Sequence, residues 1–319
     1  MRKTTIASLG LIAILAAACA GGSASASPPA SAAPTASAAA VSIAPTVAPT
    51  PTPDPCAPAA LALKTAGKLT IGTDNPAFPP YFQENADGSK TAPWEFGDPT
   101  NGQGFESAFA YALAGKLGFT KDQVAWTYVP FDNSYKPGPK GFDLDINQVS
   151  NLPGREQAVD LSDGYYFVNQ AVVSLAANPI AKATSISGLA AYRFGAQVGT
   201  TSYQTITDVI KPTAEPSVYN TNDEAISALK AKQIDGIVVD LPTAFYMSGA
   251  QLDNKGAVVG QFQLPSGAQV EHFSVVLAKG SPVTSCVNAA IKALTDDGTL
   301  AAITKEWLSD KASAPVFTP

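Results

Sequence analysis

The sequence predicts an α/β protein built in two lobes and carried on a long exported tether. Three observations predict it. Strand and helix patterns alternate from Leu69 to Leu308. The folded stretch, about Leu61 to Asp310, is long for one hydrophobic core and natural for two. The residues before it have a composition from which no core forms.

The amino terminus opens the order of elements. Arg2 and Lys3 precede an apolar run from Ile6 to Ala18, too short to span a bilayer and fitting a secretory leader over residues 1–18. Leu15-Ala16-Ala17-Ala18-Cys19 resembles a bacterial lipobox, in which the cysteine becomes the lipidated first residue. Ala16 stands where Leu, Val or Ile is usual, and the alternative is an ordinary leader with a chance cysteine. Residues 19–60 read as a lipidated start and a disordered Ala/Ser/Pro/Thr tether. Runs such as Ala48-Pro49-Thr50-Pro51 favour extended polyproline II, at roughly 3 Å per residue and up to about 100 Å of reach.

Within the folded stretch, Leu69–Thr73 reads as a strand. Phe105, Phe109, Leu113 and Leu117 mark a helix that Gly118 ends. Val124–Val129 is strand-like. Phe131–Lys140 follows where a helix is due, but Pro137 and Pro139 speak against a regular one. Phe142–Val149 returns to strand character. Arg193–Val198 is a strand and Tyr203–Ile210 a helix. Thr221 and Glu224 match a capping box before a helix from Ala225 to Lys232. Ile234–Asp240 is a buried strand and His272–Leu277 another. Ser281-Pro282 supplies a cap and a first-turn proline. The last helix carries Leu300, Ile303, Trp307 and Leu308 on one side. This alternation predicts mostly parallel sheets.

Bulk properties narrow the function. The net charge is −6, and two units more negative once Arg2 and Lys3 leave with the leader. That argues against nucleic acid and anionic lipid surfaces as partners. His272 is the one histidine, so no His-rich metal site can be built; no metal and no cofactor are expected. Cys19 aside, Cys56 and Cys286 remain, a disulfide candidate in an oxidising compartment, or two separate inert thiols.

Several segments in order now carry a resemblance: Leu69-Thr70-Ile71-Gly72-Thr73-Asp74, Gly104-Phe105-Glu106, Asp143-Leu144-Asp145-Ile146, Arg155 through Tyr166, Gly195 through Thr201, Ile234 through Asp240, and Asp297-Gly298-Thr299-Leu300 to Trp307-Leu308. Together they resemble the polar-amino-acid solute-binding proteins of ABC importers, family 3. The resemblance implies a bilobal periplasmic-binding-protein-like fold of type II, its lobes joined by two crossover strands. Lobe 1 would comprise residues 61–170 and 265–312, and lobe 2 residues 171–264. It implies a monomer that captures a free amino acid by cleft closure for the permease subunits of an ABC importer, held to the cell membrane by lipid at Cys19.

A free amino acid is a zwitterion, so its cleft needs a cation and donors for the carboxylate and an anion for the ammonium. Arg155 stands at the family's carboxylate-binding arginine, and its planar fork suits the task; otherwise it is a surface arginine at a helix start. The usual Thr-Pro-Glu-Arg is here Leu152-Pro153-Gly154-Arg155, which implies a looser loop. Ser150 and Gln148 match the family's hydroxyl and backbone contacts. Thr200 and Thr201 follow a strand at a helix start and would complete the carboxylate pocket. Asp240 closes a buried strand, where open α/β sheets place ligands, and matches the ammonium-binding aspartate; its alternative role is a helix cap before Pro242. Asp74 matches a position that reads the ligand side chain, as partner of a basic group or an amide. Phe78 and Phe131 match a flanking aromatic pair, the alternative being plain core. Tyr81, Trp94 and Asp132 are neighbours, with Trp94 in an insertion, Asp87–Gln103, that would form a lip over the cleft. The enzymatic alternative is a cyclohexadienyl-dehydratase-like catalyst on the same fold, for which Glu84 or Asp132 would supply the acid. A ligand sensor without a permease is the other.

Overall fold

The computed structural model describes residues 54–263, 271–308 and 314–319. The leader, Cys19, the tether before Asp54 and the two short segments 264–270 and 309–313 lie outside the described residues.

Two five-stranded sheets form the framework. The first contains β1 (Leu69–Thr73), β2 (Val124–Tyr128), β3 (Leu144–Asp145), β4 (Val159–Phe167) and β10 (His272–Ala278), in the order β2-β1-β3-β10-β4. The second contains β5 (Gln170–Leu175), β6 (Phe194–Gln197), β7 (Ser217–Tyr219), β8 (Gly236–Asp240) and β9 (Gly256–Gln261), in the order β7-β6-β8-β5-β9. The chain passes from β4 to β5 through Val168 and Asn169 and returns between β9 and β10, so each sheet receives strands of opposite direction. Both are therefore mixed rather than mostly parallel. β1 pairs with β2 and β3 in parallel, whereas β10 runs antiparallel to β3 and β4. β6 pairs with β7 and β8 in parallel, whereas β5 runs antiparallel to β8 and β9. The fold is bilobal, of the periplasmic-binding type.

Period-two alternation places the cores. In the first sheet Leu69, Ile71, Leu144, Ile146, Phe273, Val275 and Leu277 face one layer. That layer is α1 (Phe105–Lys116), α7 (Thr284–Asp296) and α8 (Thr299–Leu308), through Phe109, Leu113, Val287, Ile291, Leu300 and Ile303. The opposite face is covered by the segment after β2, where α2 (Phe131–Ser134) makes only one turn before the prolines. In the second sheet Ala171, Val173, Ile237 and Val239 face α5 (Asn222–Lys230) and α6 (Leu241–Tyr246). Val172 and Val238, one residue out of step, face Phe194, Ile206 and Phe317. Burial on both faces explains the continuous apolar run of Ile237–Val239.

Several boundaries differ from the sequence pattern. Phe142–Val149 yields only the two-residue β3. α4 (Thr201–Thr205) starts two residues before Tyr203 and continues as a π-helical turn through Ile210. Thr221 accepts from the Glu224 amide, but Glu224 reaches the Asn220 amide, so the box closes one residue early. α7 starts at Thr284 rather than at Pro282, with Ser281 accepting from the Val283 amide.

Both ends of the described chain are folded. Residues 54–60, expected in the tether, make turns, and Cys56 is joined to Cys286 of α7 with Cα atoms 5.4 Å apart. At the other end, beyond the expected limit of the fold, Gln261 exchanges backbone hydrogen bonds with Pro315 and Phe317. Phe317 is buried against Phe262.

Candidate functional site

Side chains from both sheets meet in one cleft at their carboxyl edges, the position open α/β sheets favour for ligands. All nine candidates line it: Asp74, Phe78, Phe131, Gln148, Ser150, Arg155, Thr200, Thr201 and Asp240. Asp74 follows β1, Thr200 and Thr201 follow β6, and Asp240 ends β8. Gln148, Ser150 and Arg155 lie between β3 and β4, with Arg155 in α3 (Pro153–Glu156).

Arg155 is 6% exposed, not a surface residue. The turn that presents it is closed by hydrogen bonds from the Arg155 and Glu156 amides to the Leu152 carbonyl. Its Nη1 donates to the Ser150 carbonyl at 2.7 Å and its Nη2 to the Gly199 carbonyl of the other lobe at 2.8 Å. Tyr135 stacks 4.3 Å from the guanidinium and Phe131 5.6 Å. Burial lowers its pKa, opposed by Tyr135, Glu271 and Asp240. Gly199 holds φ +73°, and a Cβ there would meet the Tyr135 hydroxyl at 2.6 Å, so glycine is required for this approach.

Asp240 occupies the N-cap position of α6 without making a side-chain cap bond. Its Oδ1 instead accepts from Gln170 Nε2 at 2.6 Å. Burial first, and then the neighbouring Glu271, raise its pKa well above the ordinary carboxylate range. Thr200 does cap: its hydroxyl accepts from the Tyr203 amide and donates to the Gln197 carbonyl. That commits the Thr200 side chain to α4. Thr201 Oγ1 accepts from Gln170 Nε2 at 3.3 Å.

The floor of the cleft rests on Glu106 of α1, fully buried, which accepts from the Gln148 amide, the Gln148 side chain and the Tyr165 hydroxyl. Burial pushes its pKa up to about 7. The bonds fix Gln148 at φ +47°.

At the opposite end, Asp74 accepts from the Asn75 amide at 2.7 Å, and burial raises its pKa to about 6. Asp223 lines the cleft from the second lobe, held by Gln251 Nε2 at 2.9 Å. Phe78 packs 5.2 Å from Phe96 and 5.8 Å from Tyr246 of α6, spanning the lobes. Tyr81 lines the wall and accepts from Thr243 Oγ1 at 3.3 Å, also across the lobes.

Two expectations change. Trp94 is no lip: it is buried in the first core and its indole donates to the Asp74 carbonyl, pinning the insertion beneath the site. Phe96, two residues on, packs instead against Phe78 and Tyr246. Asp132 pairs with Lys136 at 2.5 Å, and neither it nor Glu84 lines the cleft.

Gln170, Glu271, Glu106 and Asp223 were missed. Gln170 marks only the expected boundary between the lobes, in a segment given no strand or helix, and Asp223 sits inside a helix cap. Glu271 sits at the edge of an apolar strand, where a lone carboxylate was the available signal.

Among the described residues, no group of histidine, cysteine and acidic side chains is arranged to hold a metal ion. No described helix is long and apolar enough to cross a membrane.

Comparison with known proteins places this geometry. Residues 69–310 match the model of the bacterial extracellular solute-binding proteins, family 3. The arginine-binding extracellular protein ArtP of Bacillus subtilis (strain 168) is 24% identical over 225 residues, covering 68% of this chain and 82% of that protein. Among solved structures, an ancestral arginine-binding protein bound to arginine superposes with a TM-score of 0.60 at 26% identity, over 76% of this chain and 99% of its own. The ancestral amino acid-binding protein AncCDT-1, a precursor of cyclohexadienyl dehydratase, superposes with a TM-score of 0.59 at 25% identity, over 76% and 95%.

Proposed function

The chain belongs to the bacterial extracellular solute-binding proteins, family 3, and from that membership we propose that it captures a free cationic α-amino acid outside the cell for an ABC importer. The observation that carries the reading is the charge of the cleft. Among the described residues, its charged lining side chains are three carboxylates, Asp74, Asp223 and Asp240, against one guanidinium, Arg155. A neutral zwitterion matches only one of each. A ligand with a second positive charge matches a second carboxylate as well.

Each residue then has a task. The Arg155 fork takes the ligand carboxylate in exchange for the carbonyls it now holds, assisted by Ser150 and by Thr201 of the second lobe. Asp240 takes the ammonium. The aliphatic stem lies along Phe78 and Phe131, and its charged end meets Asp74, with Asp223 opposite. The names of the arginine-binding relatives agree with that charge. Because Arg155, Tyr81 and Phe78 already touch the second lobe, a ligand gripped by both lobes favours the closed arrangement by its differential affinity. Lipid at Cys19 and the tether would keep the receptor near its permease. Catalysis has less support: a dehydratase needs a positioned acid, and Glu84 and Asp132 stand outside the cleft.

A thermal-shift screen over the standard amino acids tests the reading. Arginine and lysine are expected to raise the midpoint most. Asp74→Asn should weaken them by roughly 10- to 100-fold, since truncating one side of a desolvated charge pair costs kilocalories. It should barely change the weak binding of neutral amino acids. Affinity for the cations should also fall as pH drops through about 6, where Asp74 takes up its proton. A neutral or acidic amino acid giving the largest shift would refute the assignment.

A further inference from the structure

We propose that Tyr135 is a positioning residue of the carboxylate subsite, whose ring holds the Arg155 guanidinium in place while its fork changes from protein carbonyls to the ligand carboxylate. This rests on the reading of Arg155 as the carboxylate partner and adds to it a residue behind the cleft wall.

Arg155 is buried, yet among the described residues no salt bridge holds it. Two other kinds of contact do. The Ser150 and Gly199 carbonyls accept from Nη1 and Nη2. Two aromatic rings face the guanidinium carbon, Tyr135 at 4.3 Å and Phe131 at 5.6 Å. The rings stand 79° apart with centroids 5.5 Å from each other, so the guanidinium lies in an aromatic corner. A cation over an aromatic face is attracted to it, the more so out of water, and a planar guanidinium stacks where an ammonium does not. The two kinds of contact separate when a ligand arrives. The carbonyls are exchanged for the ligand carboxylate, whereas the rings use none of the donors and stay.

Tyr135 is itself fixed from three directions. It follows the single turn of α2, where Ser134 Oγ donates to the Phe131 carbonyl at 2.7 Å. Its ring packs with Phe131 against the buried Val149, Val159 and Val276. Its hydroxyl reaches the second lobe, 3.5 Å from the Gly199 carbonyl oxygen, and lies where a Cβ on Gly199 would meet it at 2.6 Å. Phe131 and Arg155 line the cleft, and Tyr135 stands behind them. Its effect on a ligand therefore passes through Arg155. An arginine without that support is ordered only by its ligand, and that ordering weakens binding.

The test is calorimetric titration of the full chain with L-arginine and with L-argininamide, run beside thermal melts. The second ligand carries a neutral amide in place of the carboxylate and keeps the ammonium and the guanidinium. Tyr135→Leu keeps an apolar group against the valines and removes the ring. It is expected to weaken L-arginine about tenfold and L-argininamide less than about twofold, since only the carboxylate draws on the Arg155 fork. Tyr135→Met, which also lacks a ring, is titrated in parallel and should behave alike. Tyr135→Phe keeps the ring and should stay within about threefold of the parent on both ligands. Equal losses on the two ligands in the ringless variants would make Tyr135 a packing residue and overturn the proposal. So would parent-like affinity for L-arginine in those variants, or a Tyr135→Phe protein as weak as they are. Each of these results leaves the ligand assignment standing. A parent that binds no L-arginine overturns both.

Discussion

Arg155→Met is expected to weaken amino-acid binding by about 2–5 kcal/mol, roughly thirty- to several-thousand-fold, because it removes one side of a desolvated charge pair. Methionine keeps much of the stem but none of the five donors. The guanidinium has two roles that this change separates. It spans the lobes through the Ser150 and Gly199 carbonyls, and it stacks on Tyr135. Loss of those contacts should lower the melting temperature modestly, since the two carbonyls lie near the cleft and water can reach them. Loss of ligand affinity should be far larger. Arg155→Lys keeps the charge but not the planar fork, and should recover only part of it. Calorimetric titration alongside thermal melts reads both effects. An unchanged affinity in a folded Arg155→Met protein would remove this residue from the site.

The second large effect concerns stability rather than binding. Opening the Cys56–Cys286 disulfide, by reduction or by Cys286→Ser, should destabilise the fold by about 2–5 kcal/mol. The bond joins positions separated by 230 residues, which puts it at the upper end of that range on chain-entropy grounds. It closes the first lobe onto the segment where the tether begins. Both cysteines pack with the core of the first sheet and neither lines the cleft. Urea unfolding of oxidised and reduced protein should therefore show a clear shift in midpoint, with little change in ligand affinity. Equal midpoints would mean that the bond carries no load in the folded chain.

What the sequence discloses about this molecule follows from how local each signal is. β1, α1, β8 and α8 are legible because each is a continuous apolar pattern bounded by its own glycine, cap or charge. The sheet directions are not. They depend on where the chain crosses between lobes, which the resemblance puts near residue 170 but which no apolar pattern around Val168-Asn169 converts into strand directions. β3 holds only Leu144 and Asp145, and Asp145 is fully buried with neither carboxylate oxygen hydrogen-bonded. Burial pushes its pKa far up.

The site divides in the same way. Arg155, Ser150, Thr201 and Asp240 are legible through an ordered set of segments resembling a family, and the structure brings them to one cleft. Gln170 and Glu271 escape that reading because their significance exists only once β5, β8 and β10 are adjacent. A glutamine at a strand start and a glutamate before a histidine are unremarkable until one amide nitrogen is seen between two carboxylates. Trp94 shows the converse. An aromatic residue in an insertion suggests a rim, yet its indole is better satisfied by the Asp74 carbonyl inside the core, and Phe96 is left to face Tyr246. Asp223 was legible as a helix-start residue, and its second role at the cleft comes from the lobe's orientation alone.

The central claim is that one cleft recognises three charges of a cationic amino acid separately. The most direct measurement is calorimetric titration of the parent with L-arginine, with agmatine, which lacks the carboxylate, and with Nα-acetyl-L-arginine, which lacks the ammonium. Arginine is expected to bind, and each analogue to bind at least about a hundredfold more weakly, since each leaves either Arg155 or Asp240 without its partner. Agmatine or the acetylated compound binding as tightly as arginine would contradict the account.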